Sequence, residues 1–424
     1  MIKKLLEQYQ NNPKLKQVIS LLSVNVIVIP LSIISSIIIT SFLGPVAYGD
    51  FQFIFNLFNL AVVIFAFGFF QAGNRALVLN NDPQKARELY GAVLVILGGL
   101  FIAMSVFLFS YALLDKNINE KGLRNIFIIL TPFSWVFLLV NYFEVLFQAD
   151  NKIKLLAKSR LFPRLGFFVL VLIIYLAFFD YSGNRLTLIC FCFLLTQILV
   201  FLYIIYCINP SFRNFKERIS DVVFYNKTYG FNVYLGSVFA VGFSQLTGVL
   251  ISYFAIDNSG VGYFSLATTI AMPLSFIPNV IATTHYKDFS TSKNIPRKLL
   301  LITIIISCIA LLLTVLLVRP FIKYFYGPDF YPVISLTYVV SFGVILNGLA
   351  DFINRFLGSH GKGKALRNSA ILVGFSLLIL NIIFIPRFGE TGAAYTKLLS
   401  GVIYLLSMYW FYRRLIIKPI DIKA

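Results

Sequence analysis

The sequence has little charge, and this scarcity excludes a soluble globular protein. Asp, Glu, Lys and Arg make up only 12% of the 424 residues, whereas 59% are hydrophobic and the mean hydropathy is +0.85. A soluble chain of this length needs a far larger polar surface. Apolar stretches such as 299–318 recur along the chain, and each is long enough to cross a hydrocarbon core of ~30 Å. We therefore predict an all-α polytopic membrane protein.

The sequence also lacks the residue clusters of a soluble enzyme. Its four cysteines lie in or beside apolar stretches, and their spacing fits neither a zinc site nor a disulfide framework. The loops hold no metal-ligand cluster or nucleophile constellation and are too short to build a site of their own. We expect no cofactor and no enzymatic activity. The cysteines are Cys190, Cys192, Cys207 and Cys308.

Continuous apolar runs predict twelve transmembrane helices. The basic N-terminus precedes a long first span without a small-residue cleavage site, so we expect that span to be retained. The predicted spans are 18–41, 51–72, 91–114, 125–148, 165–179, 186–207, 230–256, 261–284, 299–318, 331–354, 368–386 and 392–412.

The distribution of positive charge predicts the orientation. Of the 36 Lys and Arg residues, 28 fall in the termini and alternate loops on one side, and 7 fall in the opposite loops. Because cytoplasmic loops are enriched in Lys and Arg, both termini should be cytoplasmic. This topological role also accounts for the net charge of +19, so we expect no nucleic-acid partner.

The two halves of the chain resemble each other. GDFQF begins at Gly49 and GYFSL at Gly262, while NKIK at 151–154 corresponds to GKGK at 361–364 at nearly the same offset. We predict two six-helix lobes, an N-lobe at 1–207 and a C-lobe at 230–424, joined by a cytoplasmic linker at 208–229. Six spans is an even number, so the lobes should form a parallel repeat.

A few ionisable residues lie within the predicted spans, where charge is expensive. Lys397 is either a cation facing a wet cavity or a lysine whose ammonium reaches the interface. Glu144 is a candidate for ion coupling, as is Asp351, although Asp351 and Arg355 could instead form an i,i+4 pair at the cytoplasmic surface. Arg75 is either a substrate contact or a structural charge at the end of a helix.

The stretch GSHGKGKA at 358–365 nearly matches a phosphate-binding loop but lacks the final Ser or Thr. Such a loop needs a preceding strand and a following helix N-terminus. Here an apolar span precedes the stretch, and its counterpart in the first half keeps both lysines without the glycines. We expect a basic turn between two helices and no ATP binding.

Several segments carry a family resemblance that covers most of the chain. SFLGPVAYGDFQF, FGFFQAGNRAL, VGYFSLATTIAMPLSFIP and IPRFGETGAAYTKLLSG resemble segments of the polysaccharide-export flippases, the Wzx-like translocases of O-antigen and capsule repeat units. These belong to the multidrug/oligosaccharidyl-lipid/polysaccharide exporter superfamily. The matching segments hold Gly44, Gly49, Gly73, Arg75, Gly262, Gly361, Lys362, Lys364, Gly389, Gly392 and Lys397.

The resemblance implies a transporter of undecaprenyl-diphosphate-linked oligosaccharides in the bacterial inner membrane. Helices 1, 2, 7 and 8 would line a central cavity between the lobes, and cationic residues there would meet the diphosphate or acidic sugars. The candidate cations in the matching segments are Lys397, in the last span, and Arg75. Few cations lie in those helices, so polar side chains are further candidates for contacts to the sugars. They are Asn25, Gln71, Gln245 and Thr268. Membrane lipids, a polysaccharide polymerase and a chain-length regulator are the expected partners.

Two other functions remain open at this point. A drug/cation antiporter of the same superfamily would need a carboxylate within the N-lobe, for which Glu144 is the candidate. A membrane glycosyltransferase or polysaccharide polymerase would work from helix ends, but such enzymes usually carry a large outer loop rich in Arg or His, which this chain lacks.

Overall fold

The structure, a computed structural model, describes residues 13–80, 82–177 and 183–417, and within these ranges it is helical with no strand. The α-helices in chain order are α1 (Pro13–Phe65), α2 (Phe69–Val78), α3 (Pro83–Leu114), α4 (Lys116–Glu120), α5 (Arg124–Leu130), α6 (Trp135–Ala149), α7 (Ile153–Ala177), α8 (Arg185–Ile208), α9 (Phe215–Tyr225), α10 (Phe231–Ser237), α11 (Phe243–Phe254), α12 (Ser259–Ala271), α13 (Pro273–Thr284), α14 (Tyr286–Thr291), α15 (Arg297–Phe325), α16 (Pro332–Ser359) and α17 (Gly363–Tyr412).

Eight helices in the described residues are long and apolar enough to cross a membrane, or nine if a bent pair over 124–149 is one span. Two of these apolar segments are much longer than one span: Val26–Phe65, within α1, has 40 residues, and Gly363–Ile417, which contains α17, has 55. Each is interrupted by a glycine with non-helical backbone angles, Gly44 at φ 75° and Gly389 at φ 56°. Only glycine adopts such positive φ angles readily. The multi-pass membrane fold is confirmed, and the count of twelve spans stays a prediction.

The chain divides into two compact units. Unit 1 comprises the described residues within 1–42 and 58–235, and unit 2 those within 43–57 and 236–424. The predicted lobe boundaries at 207 and 230 stay a prediction.

Unit 1 is built from helices with well-defined starts. Asp82 accepts a hydrogen bond from the backbone N–H of Gln84 at 2.9 Å, and Pro83 takes the first position of α3. Asn184 caps α8 in the same way, accepting from the N–H of Thr187 at 3.0 Å. Behind these caps, fully buried aromatic rings of α3 and α6, among them Tyr90, Tyr142, Phe143 and Phe147, pack edge to face.

The predicted linker contains the short helix α9, which is fixed to α3 by ionic contacts. Arg218 of α9 is buried and lies 3.4 Å from a carboxylate oxygen of Glu88, which is only 3% exposed. Arg218 also contacts Glu217 and pairs with Asp221 at 2.6 Å. A buried carboxylate needs such a partner, so this arginine anchors the segment to the membrane helices.

Unit 2 has its own aromatic core, formed where α16 and the second half of α17 pack together. Phe289, Phe352 and Phe356 are fully buried, and the Phe289 ring contacts each of the other two edge to face. The Tyr412 ring also meets the Phe356 ring edge to face, with 5.6 Å between the ring centres. The Tyr412 hydroxyl accepts a hydrogen bond from the backbone N–H of Ile295 at 3.1 Å. This core holds the end of α17 against α16.

Helix α7 begins earlier than the hydropathy pattern predicts. The predicted span covers 165–179, whereas the helix extends from Ile153 to Ala177. Its first three turns carry Lys and Arg residues and a proline, which lower the hydropathy of that part. Arg160 and Arg164, which the sequence places in a loop, therefore lie within a helix.

The stretch GSHGKGKA joins α16 to α17. Its central Gly361 has a φ of 69°, and α17 begins at Gly363. The stretch thus follows a helix rather than a strand, so the prediction of a turn between two helices is confirmed.

Candidate functional site

A polar cavity of about 300 Å³ lies within unit 2 and brings together three of the predicted site residues, Lys397, Gln245 and Thr268. We call it the unit 2 cavity. It is lined by Gln52, Asn56, Ser244, Gln245, Thr247, Gly248, Phe264, Ser265, Thr268, Thr269, Met272, Leu377, Ala393, Thr396 and Lys397.

Close helix packing positions Lys397. A Cβ atom added to Gly343 of α16 would lie 2.7 Å from the carbonyl oxygen of Lys397, and one added to Gly401 of α17 would lie 2.6 Å from that of Gly343. Only glycine allows two helix backbones to approach this closely, as in small-residue contacts of membrane helices. The backbone carrying Lys397 is therefore held in one place.

The Lys397 ammonium has no direct protein partner in the described parts of the chain, where it forms neither an ion pair nor a side-chain hydrogen bond. The side chain is half-buried. The carboxylate of Asp351 does not line the unit 2 cavity, but its negative charge attracts the Lys397 ammonium. An unpaired cation in a membrane helix is costly, which makes Lys397 a candidate for a functional position.

Asp351 is held by neutral groups. Its two carboxylate oxygens accept hydrogen bonds from the Tyr404 hydroxyl at 2.8 Å and from the Asn279 amide at 3.3 Å. Asn354 in turn donates to the Tyr404 hydroxyl at 2.7 Å. Asp351 and Arg355 form no ion pair in the described part of the chain. The alternative interpretation, an i,i+4 ion pair between them, is therefore not observed.

The remaining polar lining of the unit 2 cavity is well suited to a ligand rich in hydroxyl groups. The hydroxyl oxygens of Thr268 and Thr396 are buried and have no hydrogen-bond partner among the described residues. Amides from Gln52, Asn56 and Gln245 supply further donors and acceptors. None of the described residues that line the cavity is a carboxylate, so the lining favours an anion over a cation.

Sequence reasoning missed Gln52 and Asn56. Both lie in FQFIFN at 51–56, where the neighbouring phenylalanines are typical of a lipid-facing helix. Their spacing of four residues, which places two amides on one helix face, is the signal that could have identified them.

A second cavity, of about 260 Å³, lies within unit 1, and we call it the unit 1 cavity. Glu144 lines it and accepts two hydrogen bonds from Arg160, at 2.7 Å from Nε and 2.6 Å from Nη2. Arg164 lines the same cavity, together with the amides of Asn59 and Gln197 and a set of phenylalanines. Neither arginine was among the predicted site residues.

Of the other candidates whose side chains the structure describes, Arg75, Gln71 and Asp351 line neither cavity. Arg75 is exposed in the last turn of α2, where its guanidinium lies 5.9 Å from the ring centre of Tyr229. Gln71 of α2 has a buried side-chain oxygen without a hydrogen-bond partner. The side chain of Asn25 lies outside the described residues. Among the residues that the structure describes, no group of three or more His, Cys, Asp or Glu could hold a metal ion.

Known proteins resemble this chain in sequence and in fold. The family profile described as "Polysaccharide biosynthesis protein" matches residues 14–286. The capsular polysaccharide biosynthesis protein CapF of Staphylococcus aureus is 24% identical over 393 residues, covering 84% of this chain and 90% of CapF.

Two solved structures share the fold. The lipid II flippase MurJ in an inward closed conformation superposes with a TM-score of 0.74 at 16% identity, covering 93% of this chain and 88% of that one. An inward-facing multidrug resistance transporter of the MATE family, from the MOP superfamily, gives 0.69 at 16% identity, covering 93% and 96%. At these identities the likeness shows the fold alone.

Proposed function

The chain belongs to the polysaccharide biosynthesis protein family, and we propose that it is a flippase for lipid-linked oligosaccharides. It moves undecaprenyl-diphosphate-linked repeat units from the inner to the outer leaflet of the bacterial cytoplasmic membrane by alternating access, for O-antigen or capsule synthesis. Its relationship to CapF and the fold that it shares with the lipid II flippase MurJ support a transporter of this class.

The observation that carries the proposal is the unpaired ammonium of Lys397 in the unit 2 cavity. The substrate joins a diphosphate anion to hydroxyl-rich sugars, and the cavity combines one cation with amides and unpaired hydroxyls. Among the described residues, the Lys397 ammonium has no ion-pair partner. A diphosphate would supply one inside the membrane, where the attraction between charges is weakly screened. Lys397 therefore contacts the diphosphate.

The amide of Gln245 and the hydroxyl of Thr268 contact the sugars. Both line the cavity with Lys397, and the Thr268 oxygen is buried without a partner. A site that places buried hydrogen-bonding groups against substrate hydroxyls rejects ligands lacking them, because its own groups then stay unpaired. This gives the cavity a preference for glycans over apolar molecules. Asn25, Gln71 and Arg75 remain weaker candidates for such contacts.

Two carboxylates are candidates for ion coupling. Asp351 acts on Lys397 through its charge and hydrogen-bonds Tyr404, so protonation of Asp351 would change the field at the substrate cation. Glu144 has both oxygens occupied by Arg160. This pairing disfavours Glu144 as the cation-binding carboxylate of a drug/cation antiporter.

We assign both termini to the cytoplasm and expect the polymerase and chain-length regulator as partners.

Deletion of the gene in its host tests the proposal. Surface polysaccharide should be lost, and undecaprenyl-linked repeat units should accumulate on the inner leaflet. Surface polysaccharide of normal amount and length would contradict the proposal, and drug sensitivity in the same strain would instead favour an antiporter. Repeat units that reach the outer leaflet but stay unpolymerised would favour a polymerase.

Complementation of that strain tests the site. Lys397→Met should restore little export, and Lys397→Arg should restore more because it keeps the charge. Lys323→Met is the matched control, since Lys323 is an exposed lysine of α15 that lines neither cavity. Equal export with Lys397→Met and Lys323→Met would remove Lys397 from the substrate site.

A further inference from the structure

The unit 1 cavity holds more positive than negative charge. Of the described residues that line it, Arg160 and Arg164 are cations and Glu144 is the one anion. Arginine stays protonated in proteins, so the three groups leave one net positive charge when Glu144 is ionised. All three belong to the membrane helices α6 and α7, where unbalanced charge is expensive.

Glu144 neutralises Arg160 in particular. The two side chains form a parallel, two-bond contact that uses both carboxylate oxygens, and their exposed fractions are 29% and 30%. Such fork-shaped pairing is the strongest that a guanidinium makes with a carboxylate. Both oxygens of the Glu144 carboxylate are therefore engaged by Arg160, and neither is dedicated to Arg164.

Arg164 has weak partners by comparison. Its guanidinium donates one hydrogen bond to the Ser32 hydroxyl at 3.3 Å and forms no ion pair in the described part of the chain. Arg160, one helical turn earlier, repels it, while Glu144 attracts it less strongly. The remaining donors of Arg164 are available to an external acceptor.

The walls of the cavity suit a small anion. The amide groups of Asn59 and Gln197 supply additional donors beside the two guanidinium groups, and four phenylalanines form apolar parts of the wall. Its volume of about 260 Å³ is just below the ~300–1,000 Å³ of typical small-molecule sites. A phosphate or diphosphate group fits within this volume.

We propose that the unit 1 cavity is a binding site for a phosphate or diphosphate group, held by Arg164 and by Arg160 in competition with Glu144. Planar guanidinium groups match the geometry of phosphate oxygens. The anion replaces the missing negative charge beside Arg164 and competes with the Glu144 carboxylate for Arg160. The phosphate belongs to a prenyl diphosphate or to a membrane phospholipid, and both sources share this chemistry.

Calorimetric titration of the purified full-length protein, in a detergent without phosphate, tests the site. The background is Lys397→Met, so that the unit 2 cavity does not contribute its cation. The probes are inorganic pyrophosphate, farnesyl diphosphate and phosphatidylglycerol in mixed micelles. Arg164→Gln should weaken binding of the preferred probe about tenfold or more, because one charged hydrogen-bond donor is lost.

Glu144→Gln separates a binding site from a purely structural ion pair. Removing the competing charge frees Arg160, so the dissociation constant should fall several-fold. Lys158→Gln is the matched control, since Lys158 is on the same helix α7 but contacts the ring of Tyr203 and does not line the cavity. Arg164→Lys should retain part of the affinity and shows whether charge at this position is sufficient.

Three results would overturn the site: no binding of any probe, equal affinity with and without Arg164→Gln, or the same loss with Lys158→Gln. Tighter binding of farnesyl diphosphate supports the site and assigns it to a lipid-linked diphosphate. Tighter binding of phosphatidylglycerol supports it and assigns it to a phospholipid. The proposed transport function is read separately, from export in cells, so the two proposals can fail independently.

Discussion

Gly49 and Gly262, the first residues of the two repeated motifs GDFQF and GYFSL, lie against each other in unit 2. A Cβ atom added to Gly262 would lie 3.1 Å from the backbone nitrogen of Gly49 and 3.2 Å from its Cα. Beside them, the Asn258 amide donates a hydrogen bond to the Asp50 carboxylate at 2.8 Å. The residues that correspond to each other in the internal repeat thus lie in contact. At Gly49 there is no room for a side chain, because a Cβ atom would overlap the carbonyl group of Asn258.

Gly49→Ala should destabilise the protein. The new methyl group would overlap the carbonyl oxygen of Asn258, and a backbone atom cannot move aside cheaply. We expect a loss of about 1–3 kcal/mol in the free energy of unfolding, as for other overpacked positions. Gly98→Ala in α3 is the control, because no atom lies within 4 Å of its added Cβ and alanine favours the helix. Thermal unfolding of both purified variants measures the difference, and equal midpoints would contradict the contact.

Arg160→Met should destabilise unit 1 by leaving the Glu144 carboxylate unpaired. Breaking a fully buried ion pair costs about 3–5 kcal/mol, and the effect here should be smaller because both side chains are nearly 30% exposed. In the double variant Arg160→Met with Glu144→Gln, most of the lost stability should return. A double-mutant cycle of unfolding free energies measures this coupling, and strictly additive effects would show that the pair contributes nothing.

Thr268→Val should separate stability from transport. The hydroxyl of Thr268 is buried without a partner, so replacing it by a methyl group should leave the free energy of unfolding unchanged or raise it slightly. Export should nevertheless fall, because the cavity loses a contact to the sugars. Thr337→Val is the control, since that buried hydroxyl donates to the Val333 carbonyl at 2.7 Å and its loss should destabilise by about 1 kcal/mol. Full export with Thr268→Val would remove this residue from the site.

Arg218→Met should release the segment that follows α8. The buried Glu88 would lose its ionic partner, and α9 would lose its anchor on α3. We expect faster cleavage within 208–229 in limited proteolysis. Arg213→Met, an exposed arginine on the same segment, should leave the cleavage rate near that of the unchanged protein. Identical cleavage of both variants would mean that the ionic contact does not hold α9.

The membrane class could be predicted from the sequence, because long apolar runs carry that signal. Lys397, Gln245 and Thr268 were separate candidates, and their meeting in one cavity depends on helix packing. Arg160 and Arg164 could not be predicted as site residues. The early turns of α7 contain Lys154, Lys158 and Pro163, so a hydropathy average places them outside the span. The role of Arg160 and Arg164 depends on which side chains of α6 face α7, and the sequence alone does not show how the two helices pack.

The ion pairing of candidates was also beyond the sequence. Glu144 and Arg160 are 16 positions apart on different helices, whereas Asp351 and Arg355 have the spacing of a helical pair and do not form one. Tyr404 and Asn279 bind Asp351 instead, through contacts across helices. Spacing within one helix shows which pairs are possible, and packing between helices decides which pairs form.

Translocation in reconstituted liposomes measures the proposed flippase activity itself. Purified protein is inserted into vesicles that contain an undecaprenyl-diphosphate-linked oligosaccharide, and the fraction of oligosaccharide that changes leaflet is followed over time with a glycan-specific enzyme outside. We expect rapid translocation with the unchanged protein and with Lys323→Met, and a rate at least about tenfold lower with Lys397→Met. Translocation no faster than in protein-free vesicles would rule out the flippase, and translocation undiminished by Lys397→Met would rule out Lys397 as the residue that binds the diphosphate.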